Sequence, residues 1–128
     1  MLSLLLAAAF SFTRADASLS YSSAEEIVKY CTPRDAGTPR GEIAANRILD
    51  MVSSAGADAR KDSFFARTPL GRRRFNNVYA EFEANPTSSW VVVISHFDTK
   101  SGIVCPGAND GASTTGLLIG LANALVDR

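Results

Sequence analysis

The chain is 128 residues long, 46% hydrophobic and 20% charged, a composition that fits one globular domain or part of a larger one and excludes an intrinsically disordered tail. Thirteen Lys and Arg residues offset thirteen Asp and Glu, so no net field draws the protein to nucleic acid or to an anionic membrane. The basic run Arg72-Arg73-Arg74 is short and reads as a local surface patch.

The chain opens on Met1-Leu2-Ser3-Leu4-Leu5-Leu6-Ala7-Ala8-Ala9-Phe10, an apolar core of secretory length, and Ala15-Asp16-Ala17 fits a small-x-small cleavage site. Residues 1–17 are therefore expected to be a signal peptide cleaved after Ala17, and residues 18–128 to be secreted or periplasmic. The run is shorter than the ~20 apolar residues of a transmembrane helix, and no membrane anchor is expected. Cys31 and Cys105 are the only cysteines; their spacing matches no zinc-thiolate motif and leaves one bridge or two free thiols open.

Ser22 and Ser23 each precede a glutamate by three residues, Glu25 and Glu26, which is the capping-box pattern and predicts a short helix over about Ala24 to Tyr30. In the turn-rich Pro33 to Gly41, Thr38 stands as an N-cap and Pro39 as the first helical residue. The helix they open carries Ala44, Ile48, Met51, Val52 and Ala55 on one face and stops at Gly56. Asp58 to Phe65 and Arg72 to Glu83 are strand-like, joined by turn chemistry at Arg67 to Gly71, and predict a β-hairpin. Its second arm alternates Val78, Ala80 and Phe82 with Tyr79, Glu81 and Glu83, as near a sheet edge.

After the loop Ala84 to Ser89, Trp90-Val91-Val92-Val93-Ile94 is apolar on both faces and predicts a central strand covered by helices on both sides. Leu117, Leu118, Leu121 and Leu125 recur at helical spacing and predict a helix from about Ser113 to Asp127, with Gly116 and Gly120 admitting a close approach to the sheet. The elements together predict an α/β protein, a partial three-layer α/β/α sandwich on a mixed sheet of which only the first three strands are present.

The chemistry gathers just beyond the central strand. His96, the only histidine, follows the β-branched run, Asp98 lies two residues on, and Asp110 sits in the glycine-flanked turn Gly107-Ala108-Asn109-Asp110-Gly111 ahead of the last helix. Ligands of open α/β sheets collect at such strand ends. Imidazole and carboxylate together suit zinc: His96 as a ligand, Asp98 accepting the proton of the other ring nitrogen, and Asp110 bridging two ions that together polarise a peptide carbonyl and activate water. Alone, each residue has a plainer reading, as a hydrogen-bonded histidine, a turn residue and an Asx-turn or helix cap.

Gly37-Thr38, Phe75-Asn76-Asn77-Val78, His96-Phe97-Asp98 and Pro106-Gly107-Ala108-Asn109-Asp110-Gly111-Ala112-Ser113 resemble the amino-terminal half of zinc-dependent aminopeptidases with paired metals, a family whose fold and motifs the secreted glutaminyl cyclases share. The resemblance runs from about Arg34 to the end. It implies a zinc exopeptidase-like fold, His96 and Asp110 as metal ligands, Asp98 as the residue orienting His96, zinc as cofactor with two ions in the complete enzyme, and a peptide substrate. The activity implied is removal of N-terminal residues from peptides, with cyclisation of N-terminal glutamine as the alternative on the same scaffold.

The family's Glu-Glu pair, further acidic ligand and late histidine match nothing here, since Asp127 is the only acidic residue after Ser113. Residues 18–128 are accordingly expected to be the amino-terminal part of a truncated catalytic domain, inactive by itself. A short non-catalytic product that binds a partner chain is the remaining alternative.

Overall fold

The computed structural model describes residues 11–82 and 91–126. The apolar amino-terminal run, Trp90, the Ala84 to Ser89 loop and Asp127 lie outside the described residues. Among these residues three α-helices, α1 (Arg14–Cys31), α2 (Pro39–Ser54) and α3 (Ser113–Val126), accompany an antiparallel hairpin of β1 (Ala59–Thr68) and β2 (Gly71–Ala80).

Helix α1 starts well before the expected Ala24. Thr13 and Asp16 form a reciprocal capping box, with the Asp16 N–H donating to Thr13 Oγ1 at 3.2 Å and the Thr13 N–H to Asp16 Oδ2 at 2.7 Å. That cap outcompetes the Ser22 and Ser23 patterns because α3 packs along the added turns: Asn123 Nδ2 donates to the buried Asp16 Oδ1 at 2.8 Å. The expected cleavage position after Ala17 thus falls inside a continuous helix.

Helix α2 follows its local signals. Thr38 caps it by accepting from the Gly41 N–H at 3.1 Å, Pro39 stands at its start, and Ala44 and Ile48 are buried with Met51, Val52 and Ala55 packed beside them. The hairpin pairs Thr68 with Gly71 at its tip and Ala59 with Ala80 at its base, and Val78 turns inward onto the core. The basic run is absorbed locally, Arg74 pairing with Glu42 at 3.0 Å and Arg72 lying over the Phe65 ring. Ile27, Cys31, Ala44, Ile48, Ala112 and Ile119 fill the space between the helices.

Two further expectations are corrected. Gly116 and Gly120 face α1, not the sheet: a Cβ at Gly116 would stand 2.3 Å from the Ser20 carbonyl oxygen, and one at Gly120 2.5 Å from that of Asp16. The face α3 buries is Thr115, Gly116, Ile119, Gly120 and Ala122, while Leu117 is exposed. A helix apolar on all sides is oriented by whichever face permits the closest backbone approach, and here small residues win over leucines.

The second correction concerns Val91 to Ile94, which form no ladder and are 57% to 85% exposed. A central strand needs neighbours on both edges and cover on both faces. The hairpin pairs only with itself and α3 gives its close-packing face to α1, so among the described residues nothing supplies either. Among the described residues the sheet therefore has two strands where three were expected.

Candidate metal centre

His96, Asp98 and Asp110 come together. His96 Nε2 lies 3.0 Å from Asp110 Oδ1, and His96 Nδ1 lies 3.4 Å from Asp98 Oδ1. The second distance is longer than a normal hydrogen bond. The ring thus stands between two carboxylates, one at each nitrogen.

The backbone that carries Asp110 makes this possible. Gly107 has φ +59°, and the Ala112 N–H closes the loop onto the Gly107 carbonyl at 3.1 Å. The chain then bends at Gly111, φ +93°, where an added Cβ would lie 3.1 Å from the His96 carbonyl oxygen and 3.2 Å from His96 Cε1. Glycine is required there for both the dihedral and the space. Thr115 Oγ1 donates to the Gly111 carbonyl at 2.7 Å and to that of His96 at 3.3 Å, and Ser95 Oγ meets Thr114 Oγ1 at 2.6 Å. The start of α3 therefore grips both halves of the site.

On the other side the segment after His96 is held by α2's entry loop. Thr99, buried, donates through Oγ1 to Asp35 Oδ1 at 2.6 Å and accepts from the Arg34 N–H at 3.0 Å, and Asp35 and Thr99 form an isolated parallel bridge. Arg34 itself is completely buried. Burial pulls its guanidinium down from the ordinary value, while Cys31, Asp98, Cys105 and Asp110 act in the opposite direction. Cys31 and Cys105 are both free, and burial pushes the Cys31 thiol up.

Sequence reasoning missed Arg34, Asp35, Thr99, Thr114 and Thr115. Pro33-Arg34-Asp35 looks like turn composition and carries no local mark of partners more than sixty residues away.

The donors suit zinc in kind and spacing. Bonds of about 2.1 Å at a tetrahedral angle set imidazole nitrogen and carboxylate oxygen about 3.4 Å apart, close to the 3.0 Å between His96 Nε2 and Asp110 Oδ1. Both side chains are largely exposed and free to open by that margin. Among the described residues no cluster of three or more His, Cys, Asp and Glu surrounds a common metal position; the pair is short of the three protein ligands of a catalytic zinc.

Comparison with known proteins shows what the chain is similar to. Residues 77–128, the stretch holding all three site residues, match peptidase family M28. The chain is 31% identical over 100 residues to the glutaminyl-peptide cyclotransferase of Bos taurus. That alignment takes in 72% of this chain and 27% of the bovine protein. The crystal structure of an Acidobacteriales bacterium glutaminyl cyclase superposes with a TM-score of 0.76 at 28% identity, over 90% of this chain and 41% of that one. A leucine aminopeptidase precursor from Bacteroides thetaiotaomicron shares the fold at 19% identity, with a TM-score of 0.69 over 94% of this chain and 45% of that one. The fold of this chain is thus α/β and zinc exopeptidase-like, and the chain spans less than half the length of each of these relatives. No helix among its described residues is long and apolar enough to cross a membrane.

Proposed function

We propose that residues 18–128 form the amino-terminal part of a zinc enzyme acting on the free amino end of peptides, and that residues 1–17 direct its export from the cell or to the periplasm. The observation that carries this reading is the approach of His96 Nε2 to Asp110 Oδ1 at 3.0 Å, with Asp98 behind the other ring nitrogen. His96 and Asp110 would hold the metal, and the second oxygen of Asp110 would be available to another ion. Asp98, 3.4 Å from Nδ1, would hold the imidazole proton there once that contact tightens, leaving the Nε2 lone pair for the metal. Bound zinc supplies Lewis-acid polarisation of a carbonyl at the peptide's amino end.

Cyclisation of N-terminal glutamine is favoured by the relatives at 31% and 28% identity, both glutaminyl cyclases. In that reaction the substrate's amino nitrogen attacks its own side-chain amide carbon and ammonia leaves. Aminopeptidase hydrolysis is the second reading, supported by the M28 match over the site residues and by the Asn109-Asp110 pair. With Asp127 the only acidic residue after Ser113, no side chain is assigned as general base. We expect the 128-residue chain alone to bind zinc weakly and to show no measurable turnover.

Two measurements test this. Zinc titration of the 128-residue chain, followed through the ring resonances of its single histidine, is expected to shift those resonances, with a weaker response in Asp110→Ala. Ring resonances indifferent to zinc would overturn the metal assignment. Mass spectrometry of a peptide beginning with glutamine, treated with the polypeptide isolated from its native source, separates the two reactions. Loss of ammonia supports the cyclase, release of the first residue supports the peptidase, and neither with zinc present sinks the enzymatic reading.

A further inference from the structure

We infer that Arg34 is the positioning residue that sets the separation of His96 and Asp110, an inference that rests on the metal-site reading above. Its guanidinium is 0% exposed and, among the described residues, pairs with no carboxylate. Its partners are main-chain carbonyls from both halves of the site. Nε donates to the carbonyl of Phe97, the residue between His96 and Asp98. Nη1 donates to the Pro106 carbonyl at 2.8 Å and Nη2 to the Gly107 carbonyl at 2.9 Å, with Thr32 Oγ1 a further acceptor at 3.4 Å.

Gly107 makes this more than a solvent-free convenience for the arginine. Its carbonyl also accepts the Ala112 N–H that closes the loop carrying Asp110. The same planar group therefore grips the segment that carries His96 and the closing bond of the turn that carries Asp110. An arginine has five donors in a rigid fork, whereas a lysine has three on a single freely rotating atom. Lysine at this position keeps the charge and loses the simultaneous grip on Phe97, Pro106 and Gly107. Neither His96 nor Asp110 touches Arg34 in a salt bridge, so its influence runs through the backbone, and it is not a catalytic residue.

The experiment compares the full 128-residue chain with Arg34→Lys, Arg34→Met and, as a stability control away from the site, Ile48→Ala. Amide hydrogen exchange is measured without metal, and zinc affinity by competition with a chelator. In Arg34→Lys the Ala112 amide is expected to exchange about tenfold faster relative to the Ile48 amide, and zinc affinity to fall about 10- to 100-fold, the range for outer partners of metal ligands. Ile48→Ala is expected to lower the unfolding midpoint and leave zinc affinity unchanged. Unaltered Ala112 exchange and zinc affinity in Arg34→Lys overturn the inference, as does an equal loss of affinity in Ile48→Ala. If Arg34→Met does not fold, Arg34→Lys still decides. Should the unsubstituted chain bind no zinc, the metal reading fails and the metal-free exchange comparison still decides whether Arg34 holds the two segments together.

Discussion

Asp16 and Asn123 join the first turn of α1 to the final turns of α3, Asn123 Nδ2 donating to Asp16 Oδ1 at 2.8 Å. The same carboxylate caps α1 through Thr13. The Thr13 hydroxyl first, and then Asn123, lower its pKa from the ordinary 3.8. A carboxylate depressed in the folded state adds stability above its unfolded pKa and loses it as the pH falls through the folded value. We expect Asp16→Asn to lower the unfolding midpoint near neutral pH, and the gap from the parent to close as the pH drops below 3.8. Chemical denaturation across that range checks the sign. A chain beginning at Ser18 lacks both Thr13 and Asp16 and is expected to be less stable than one beginning at Phe12; comparing the two measures what removal of residues 12–17 costs.

Gly111 separates backbone strain from crowding of the histidine. Gly111 and Gly102 both have positive φ, +93° and +82°, but an added Cβ meets His96 at Gly111 and nothing within 4 Å at Gly102. Alanine in such a backbone costs about 1–3 kcal/mol. Gly102→Ala is expected to pay that alone and leave the His96 resonances unchanged. Gly111→Ala is expected to cost more and to shift them, which urea unfolding and a proton–nitrogen spectrum of the histidine ring will show.

Helix α3 offers a case where propensity and packing oppose each other. Alanine is better than glycine in a helix by about 1 kcal/mol, but a Cβ at Gly120 would come within 2.0 Å of Ser20 Oγ and 2.5 Å of the Asp16 carbonyl oxygen. The hydroxyl can turn away; the carbonyl belongs to α1's backbone and cannot move without its helix. Overpacking of this kind costs about 1–3 kcal/mol, so we expect Gly120→Ala to be net destabilising. Adding Ser20→Ala is expected to recover only part of the loss, as thermal unfolding of the single and double variants will report.

The sequence by itself determined the elements whose causes are local. Thr38 and Pro39 open α2, the Pro69-Leu70-Gly71 tip turns the hairpin, and the inward Val78 face follows from alternation. It also marked His96, Asp98 and Asp110 as candidates, because a histidine closing an apolar β-branched run and a glycine-flanked aspartate are recognisable in a single stretch of chain. The tertiary structure alone decided the rest. Where α1 begins depends on Asn123, which face α3 buries depends on the backbone of α1, and Val91 to Ile94 stay exposed because apolar patterning asks for neighbours without supplying them. Arg34 is the clearest instance: its partners are carbonyls, and every residue has a carbonyl, so no side-chain pattern could point from position 34 to positions 97, 106 and 107.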